Sequence, residues 1–308
     1  MTILVAGATG LVGSAIVRNL EKANRPHVGI SSKDLNLLDR SATFRFLEEL
    51  SPTVVIDAAA RVGGIGANTS SPVSFLSENL QMQTNLMDAS HKANIKNLIF
   101  LGSSCMYPIN MPQPYKEESL MNGPVEATNS AYAIAKIAGM ELIKSYRKEF
   151  GYNWNTFIPN NVYGLNDNFH LKNSHVFASL IRKFAEAKLN NEHEVVLWGT
   201  GKPKREFIHA DDAASAILFA MDRYDSEEPL NIGTGLEISI RQLAIDIAQA
   251  ANFRGNVSWD ITKPDGAARK ILSTDKLQGL GWQPSIHLDD GIKNTMSWFL
   301  SHLDSARV

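Results

Sequence analysis

The chain has 308 residues, with 30 Lys plus Arg against 32 Asp plus Glu and a formal charge of -2, so charge alone would not gather nucleic acid or an anionic lipid surface. Its 44% hydrophobic and 20% charged content is that of an ordinary globular protein with core enough to fold without staples. No apolar run reaches the ~18 residues of a spanning helix, the opening MTILVAGATG lacks the pattern of a signal peptide, and the single cysteine, Cys105, excludes an intrachain disulfide. A cytoplasmic enzyme or binding protein is expected, with neither a membrane nor a nucleic acid as partner.

Short apolar runs bounded by turn residues alternate with segments of helical period, the pattern of βαβ units around a buried parallel sheet. Strands are predicted at 3–6, 27–30, 54–58, 98–103 and 154–159, with helices at 11–23, 41–50, 72–93 and 130–150 between them. Right-handed crossovers place helices on both faces, which makes a Rossmann-type doubly wound sheet. Residues 164–174 read as a polar loop. Beyond it come helix 175–189, strands 195–198 and 206–209, helix 211–224, strand 229–232, helix 240–251, strand 256–260 and helix 289–303. With no clean linker, the fold class is α/β: a cofactor-binding domain over 1–163 and about 203–234, and a smaller, sequence-interleaved α/β substrate domain over about 164–202 and 235–308.

After the first strand comes GATGLVG, with Gly7, Gly10 and Gly13 spaced to allow a tight turn, close approach of backbone to a pyrophosphate and close packing of helix on sheet. Thr9, Leu11 and Val12 complete the turn and open the helix whose N–H groups would face the phosphates. The second strand ends in GISSKD. A carboxylate at a strand end would pair with the ribose hydroxyls of NAD, whereas Ser31, Ser32 and Lys33 leave room for the extra phosphate of NADP; Asp34 weighs the other way. The balance leans toward NADP(H).

Tyr132 and Lys136, four residues apart in SAYAIAK, share a helix face about one turn apart. An ammonium beside a phenol favours the phenolate, and a tyrosine of pKa ~10 needs such help to move protons near neutrality. Ser103, in GSSCMYP, closes the fourth strand, where ligands collect in open α/β sheets. Two residues further on, Cys105 reads three ways: packing, a metal ligand with distant partners, or a reactive thiol.

With these residues the chain resembles the extended short-chain dehydrogenase/reductase superfamily, whose NAD(P)-dependent members mostly act on nucleotide sugars. The likeness implies that Tyr132 is the acid–base residue at a sugar carbonyl, that Lys136 anchors the nicotinamide ribose and tunes Tyr132, and that Ser103 hydrogen-bonds the reacting oxygen. Longer strings, spread in order along the chain, narrow it to the GDP-L-fucose synthase family: AAARVGGI (58–65), LGSSCMYP (101–108), YAIAKIAG (132–139), DNFH (167–170), NSH (173–175), WGTG (198–201), REF (205–207) and KPDG (263–266). The implied reaction is NADPH-dependent 3,5-epimerisation and 4-reduction of GDP-4-keto-6-deoxy-D-mannose.

A 4-ketone acidifies both flanking C–H bonds, so the inversions need a base and an acid, not a metal. By the resemblance, Cys105 is the base and His175 the acid; read from its position alone, His175 could equally cap its helix. The likeness adds Leu101, Gly102, Pro159, Asn161, Val162 and His175 to the cofactor contacts. It assigns Lys183, Trp198, Arg205 and Asp265 to the GDP moiety of a GDP-sugar; otherwise Trp198 reads as a core aromatic and Arg205 as a surface charge. The rivals are a GDP-L-colitose synthase inverting only C5, a nucleotide-sugar epimerase or dehydratase, and a non-catalytic NADP(H) sensor. A homodimer packed through helices 72–93 and 130–150 is the expected assembly.

Overall fold

The computed structural model describes residues 1–171, 174–263 and 265–307. In chain order the first half contains β1 (Ile3–Ala6), α1 (Leu11–Lys22), β2 (His27–Ile30), α2 (Arg40–Leu50), β3 (Val54–Asp57), α3 (Ile65–Ser70), α4 (Pro72–Lys92), β4 (Asn97–Leu101), α5 (Ser130–Phe150) and β5 (Asn153–Pro159). The remainder contains β6 (Val162–Tyr163), α6 (Val176–Leu189), β7 (Glu194–Trp198), β8 (Lys204–Glu206), β9 (Ile208–His209), α7 (Ala210–Met221), β10 (Leu230–Ile232), β11 (Glu237–Ser239), α8 (Ile240–Ala250), β12 (Asn256–Asp260), β13 (Arg269–Lys270), α9 (Asp275–Gly279) and α10 (Leu288–Ser301).

The central sheet has six parallel strands in the order β2-β1-β3-β4-β5-β10. β1 is unbroken apolar sequence because both its faces are covered: all four residues are inaccessible to solvent, as expected of a central parallel strand. On one face α1 and α7 pack on Ile3, Val5, Ile56 and Ile99; on the other, α2, α4 and α5 cover Leu4, Val55, Leu98 and Phe100. The chain leaves β1 toward β2 and returns to β3 on the opposite side, so the strand order reverses between β1 and β3. The crevice at the carboxyl ends there is where such sheets bind ligands.

α6, α8 and α10 with the parallel pair β7–β12 enclose a second core that includes Phe177, Phe184, Ile247 and Phe299. A three-stranded sheet, β11-β8-β13, lies between this second core and the crevice. The predicted strand 206–209 divides here: Lys204–Glu206 pairs with β11 and β13, whereas Ile208–His209 pairs with β6. Alternation of side chains cannot report which neighbour each half of a run will meet, and the chain changes sheets at Phe207. The predicted strand 98–103 ends early, at Leu101. The Ser103 hydroxyl accepts from the Cys105 N–H at 3.3 Å, and this side-chain turn takes the backbone out of the ladder.

Candidate active site

The glycine turn is held by local sterics. Gly7 has φ +80°, and a Cβ there would lie 2.7 Å from the Ala58 carbonyl oxygen, so only glycine fits between β1 and the end of β3. A Cβ on Gly13 would run into the Gly7 carbonyl, which lets α1 start directly against the strand. Gly10 is the N-cap of α1 with no side-chain cap, leaving the first N–H groups of the helix for a pyrophosphate. Thr9 is exposed, Leu11 and Val12 half-buried; all three border this opening. The residues present therefore fit a dinucleotide.

At the end of β2 the Asp34 carboxylate accepts both the Ser31 N–H, at 2.8 Å, and the Ser31 hydroxyl, at 2.7 Å. These bonds, both to the same oxygen, hold its pKa below the ordinary carboxylate value and fix Asp34 in its own turn. Lys33 is left exposed beside it.

Leu101 and Gly102 are buried at the end of β4, where a Cβ on Gly102 would meet the Met106 sulfur at 2.9 Å. Ser103 follows, its hydroxyl near enough to Tyr132 to favour the phenolate. Burial, then the nearby Cys105, push the Tyr132 phenol above its ordinary pKa, and the Ser103 hydroxyl pulls it back. Lys136 is 3% exposed. Its ammonium donates to the Leu101 carbonyl at 2.8 Å and lies 4.5 Å from the centre of the Phe100 ring. Burial lowers its pKa to about 8, against the opposing pull of Asp57.

Asp57 ends β3 and is 1% exposed. Its Oδ1 accepts from the Ala59 N–H at 3.1 Å, while Oδ2 has no partner among the described residues. Burial raises its pKa to about 6, with Lys136 pulling it down. A carboxylate inside the apolar run VVIDAAA was itself a signal that this position does more than pack.

Cys105 is half-buried rather than sealed in the core. Its Sγ receives the Asn129 amide at 3.3 Å and the Lys270 ammonium at 3.6 Å. Asn129 is the N-cap of α5 but makes no cap bond with its side chain. His175 is the N-cap of α6, and its side chain does not cap the helix either. It is exposed, and the atoms packed around its ring and then the Lys270 charge hold its pKa below the histidine norm.

Pro159 ends β5, and Asn161 and Val162 follow it; Asn161 takes φ +21° and donates to the Glu206 carbonyl at 2.8 Å. Glu206 is fully buried and joins several segments at once. Its carboxylate accepts from the Asn160 amide at 2.6 Å, the Gly235 N–H at 2.8 Å and the Leu272 N–H at 3.0 Å.

The remaining candidates lie further along the cleft. Lys183, on α6, is half-buried, and burial lowers its pKa. Arg205, on β8, is half-buried too, in register with Lys270 of β13. Trp198 is 69% exposed, which excludes the core reading. Asp265 sits beside it, accepting the Thr200 N–H at 2.8 Å and the Thr200 hydroxyl at 2.7 Å, so its carboxylate braces the WGTG turn. Asn173 and Pro264, which belong to the NSH and KPDG strings, lie outside the described residues.

Sequence reasoning missed Asp57, Asn129, Glu206 and Lys270. Lys270 follows KPDG by four residues and has no local signature; only the pairing of β13 with β8 brings it to the sulfur.

A model of the NAD dependent epimerase/dehydratase family matches residues 3–233. The chain is 46% identical over 302 residues to GDP-L-fucose synthase 1 of Arabidopsis thaliana, covering 98% of this chain and 94% of that protein. It is 42% identical over 315 residues to the GDP-L-fucose synthase of Escherichia coli (strain K12), covering 99% and 98%. Among solved structures, a GDP-L-fucose synthetase from Naegleria fowleri bound to NADP superposes with a TM-score of 0.93 at 35% identity, covering 100% of this chain and 95% of that one. A Rossmann sheet with a glycine turn fitted to a dinucleotide, and a match over most of its length, carry one conclusion: the chain belongs to the NAD dependent epimerase/dehydratase family.

Proposed function

We propose that this chain converts GDP-4-keto-6-deoxy-D-mannose to GDP-L-fucose by inversion at C3 and C5 followed by reduction at C4. The reading rests on one observation above all: a thiol carrying two donors lies beside Tyr132, whose phenol also feels the Ser103 hydroxyl, so base and carbonyl donors gather at one place. The activity in the names of its relatives agrees with it.

With the sugar O4 between Ser103 and Tyr132, both hydroxyls donate to the oxygen, and their bonds strengthen as charge develops there. The Cys105 sulfur removes the proton from C3 or C5 and becomes a neutral thiol. On the opposite face the His175 imidazolium delivers a proton to the same carbon, and exchange with solvent resets both groups. The lowered pKa of His175 makes its imidazolium a stronger acid and its neutral form the commoner one near pH 7, so the ring takes up a proton before it delivers one. Bound NADPH supplies the hydride for C4. Tyr132 gives its proton to O4 in that step, and the Lys136 ammonium, buried one turn further along α5, is the charge that compensates the phenolate that forms.

Lys183 and Arg205 supply cations for the pyrophosphate, and Trp198 an exposed indole for a flat ring. We assign residues 1–163 with about 203–234 to the cofactor half and the rest to the sugar half. The assembly we propose is a cytoplasmic homodimer through α4 and α5, whose Val73, Ile134 and Phe150 are exposed.

Product analysis in D2O tests the reading. Wild type is expected to oxidise NADPH only when the 4-keto sugar is added and to yield GDP-L-fucose labelled at C3 and C5. Cys105→Ser is expected to lose epimerisation by about 10²- to 10⁴-fold while retaining part of the C4 reduction. Label at C5 alone would reassign the chain to a 5-epimerase, and unlabelled product to a simple reductase.

A further inference from the structure

We infer that Lys270 is the positioning residue that holds the Cys105 sulfur as an anion and thereby makes it a competent base; this rests on the epimerase reading above. A neutral thiol is a weak acceptor, yet the sulfur receives a cationic donor at 3.6 Å and an amide at 3.3 Å. Converging donors that include a cation mark thiolate sites.

The lysine is held in place by its own backbone. Gln113 brackets it, donating to the Arg269 carbonyl at 2.9 Å and accepting from the Ile271 N–H at 3.0 Å. The Ile271 carbonyl accepts from the Tyr115 N–H at 2.9 Å, and the Leu272 N–H is bound by Glu206 at 3.0 Å. Every flanking residue is thus tied down, and the side chain between them reaches the sulfur. Among the described residues no carboxylate lies within ion-pair distance of the Lys270 ammonium, whose hydrogen bond goes to the sulfur.

The groups facing the sulfur come from several elements. Lys270 arrives from β13 and Tyr132 with Asn129 from the start of α5, while His175, ahead of α6, feels the Lys270 charge from across the cleft. A negative sulfur has a second effect, since it keeps the Tyr132 phenol protonated and ready to donate at C4. In the epimerisation step the C–H bond breaks, its proton goes to sulfur, and its electron pair becomes the enolate. Lys270 itself transfers nothing.

Because Cys105 is the sole cysteine, iodoacetamide reads this thiol directly in the intact protein, without substrate. For Lys270→Met the alkylation-rate profile is expected to move to higher pH by about one unit, which is roughly tenfold slower reaction at neutral pH. Solvent deuterium uptake at C3 and C5 should fall about as much, with kcat affected more than KM, and Lys270→Arg should restore most of both. Lys270→Gln, which keeps a donor without the charge, should behave like the Met variant and serves if that one does not fold. Superimposable alkylation profiles for wild type and the folded neutral variants would overturn the inference. Absence of C3 and C5 label in wild type would instead overturn the epimerase reading and leave the alkylation result standing.

Discussion

The glycine turn and the thiol cluster lie at the carboxyl ends of strands on either side of β3, yet they are built by opposite means. The turn is complete within GATGLVG: Gly7 and Gly13 are required by backbone atoms only a few residues away or on the adjoining strand. The thiol cluster draws Ser103 and Cys105 from the end of β4, Asn129 and Tyr132 from the start of α5, and Lys270 from β13. Glu206 and Gln113 hold the last of these in place. A contiguous site is secured by sterics, whereas an assembled one depends on every contact that brings its parts together.

If that distinction is right, damage to the cluster should impair chemistry and spare cofactor affinity, while damage to the turn should do the reverse. The largest effect is expected of Tyr132→Phe, with kcat for C4 reduction down about 10²- to 10⁴-fold and the NADPH Kd, followed by fluorescence titration, unchanged. A matching loss of NADPH affinity would break the comparison.

Next comes Glu206→Gln, which turns an amide toward backbone N–H groups that now meet a carboxylate. Loss of charge-assisted bonds at a buried site should cost about 2–3 kcal/mol in urea unfolding. Because Leu272 is released next to Lys270, epimerisation should fall further than NADPH affinity does. The smallest effect is expected of Gly13→Ala: relief of the clash by moving α1 should cost about 1–2 kcal/mol, seen as roughly tenfold weaker NADPH binding. Turnover at saturating NADPH should stay near the wild-type value, and a fall in kcat alone would blur the two sites into one.

The parallel sheet was legible because its central strands are buried on both faces and read as apolar runs, as ILVA does. The glycine spacing and the four-residue step from Tyr132 to Lys136 were legible because each belongs to one local element. The change of sheets at Phe207 was not, since both halves of 206–209 have strand character and differ only in their neighbours. Nor was the setting of Asp34, whose carboxylate is fixed in its own turn by two bonds from Ser31.

Residue order alone was enough for the fold class and the glycine turn, because period, spacing and glycine sterics act over a few residues; the roles of Cys105 and His175 came from the family resemblance. Tertiary structure alone decided that the Cys105 sulfur meets an ammonium, that Lys136 shares its buried site with Asp57, and that Glu206 ties the strands around them. Electrostatic partners are set by distance in space, and nothing in a local pattern encodes which residue, 165 positions away along the chain, will lie against a thiol.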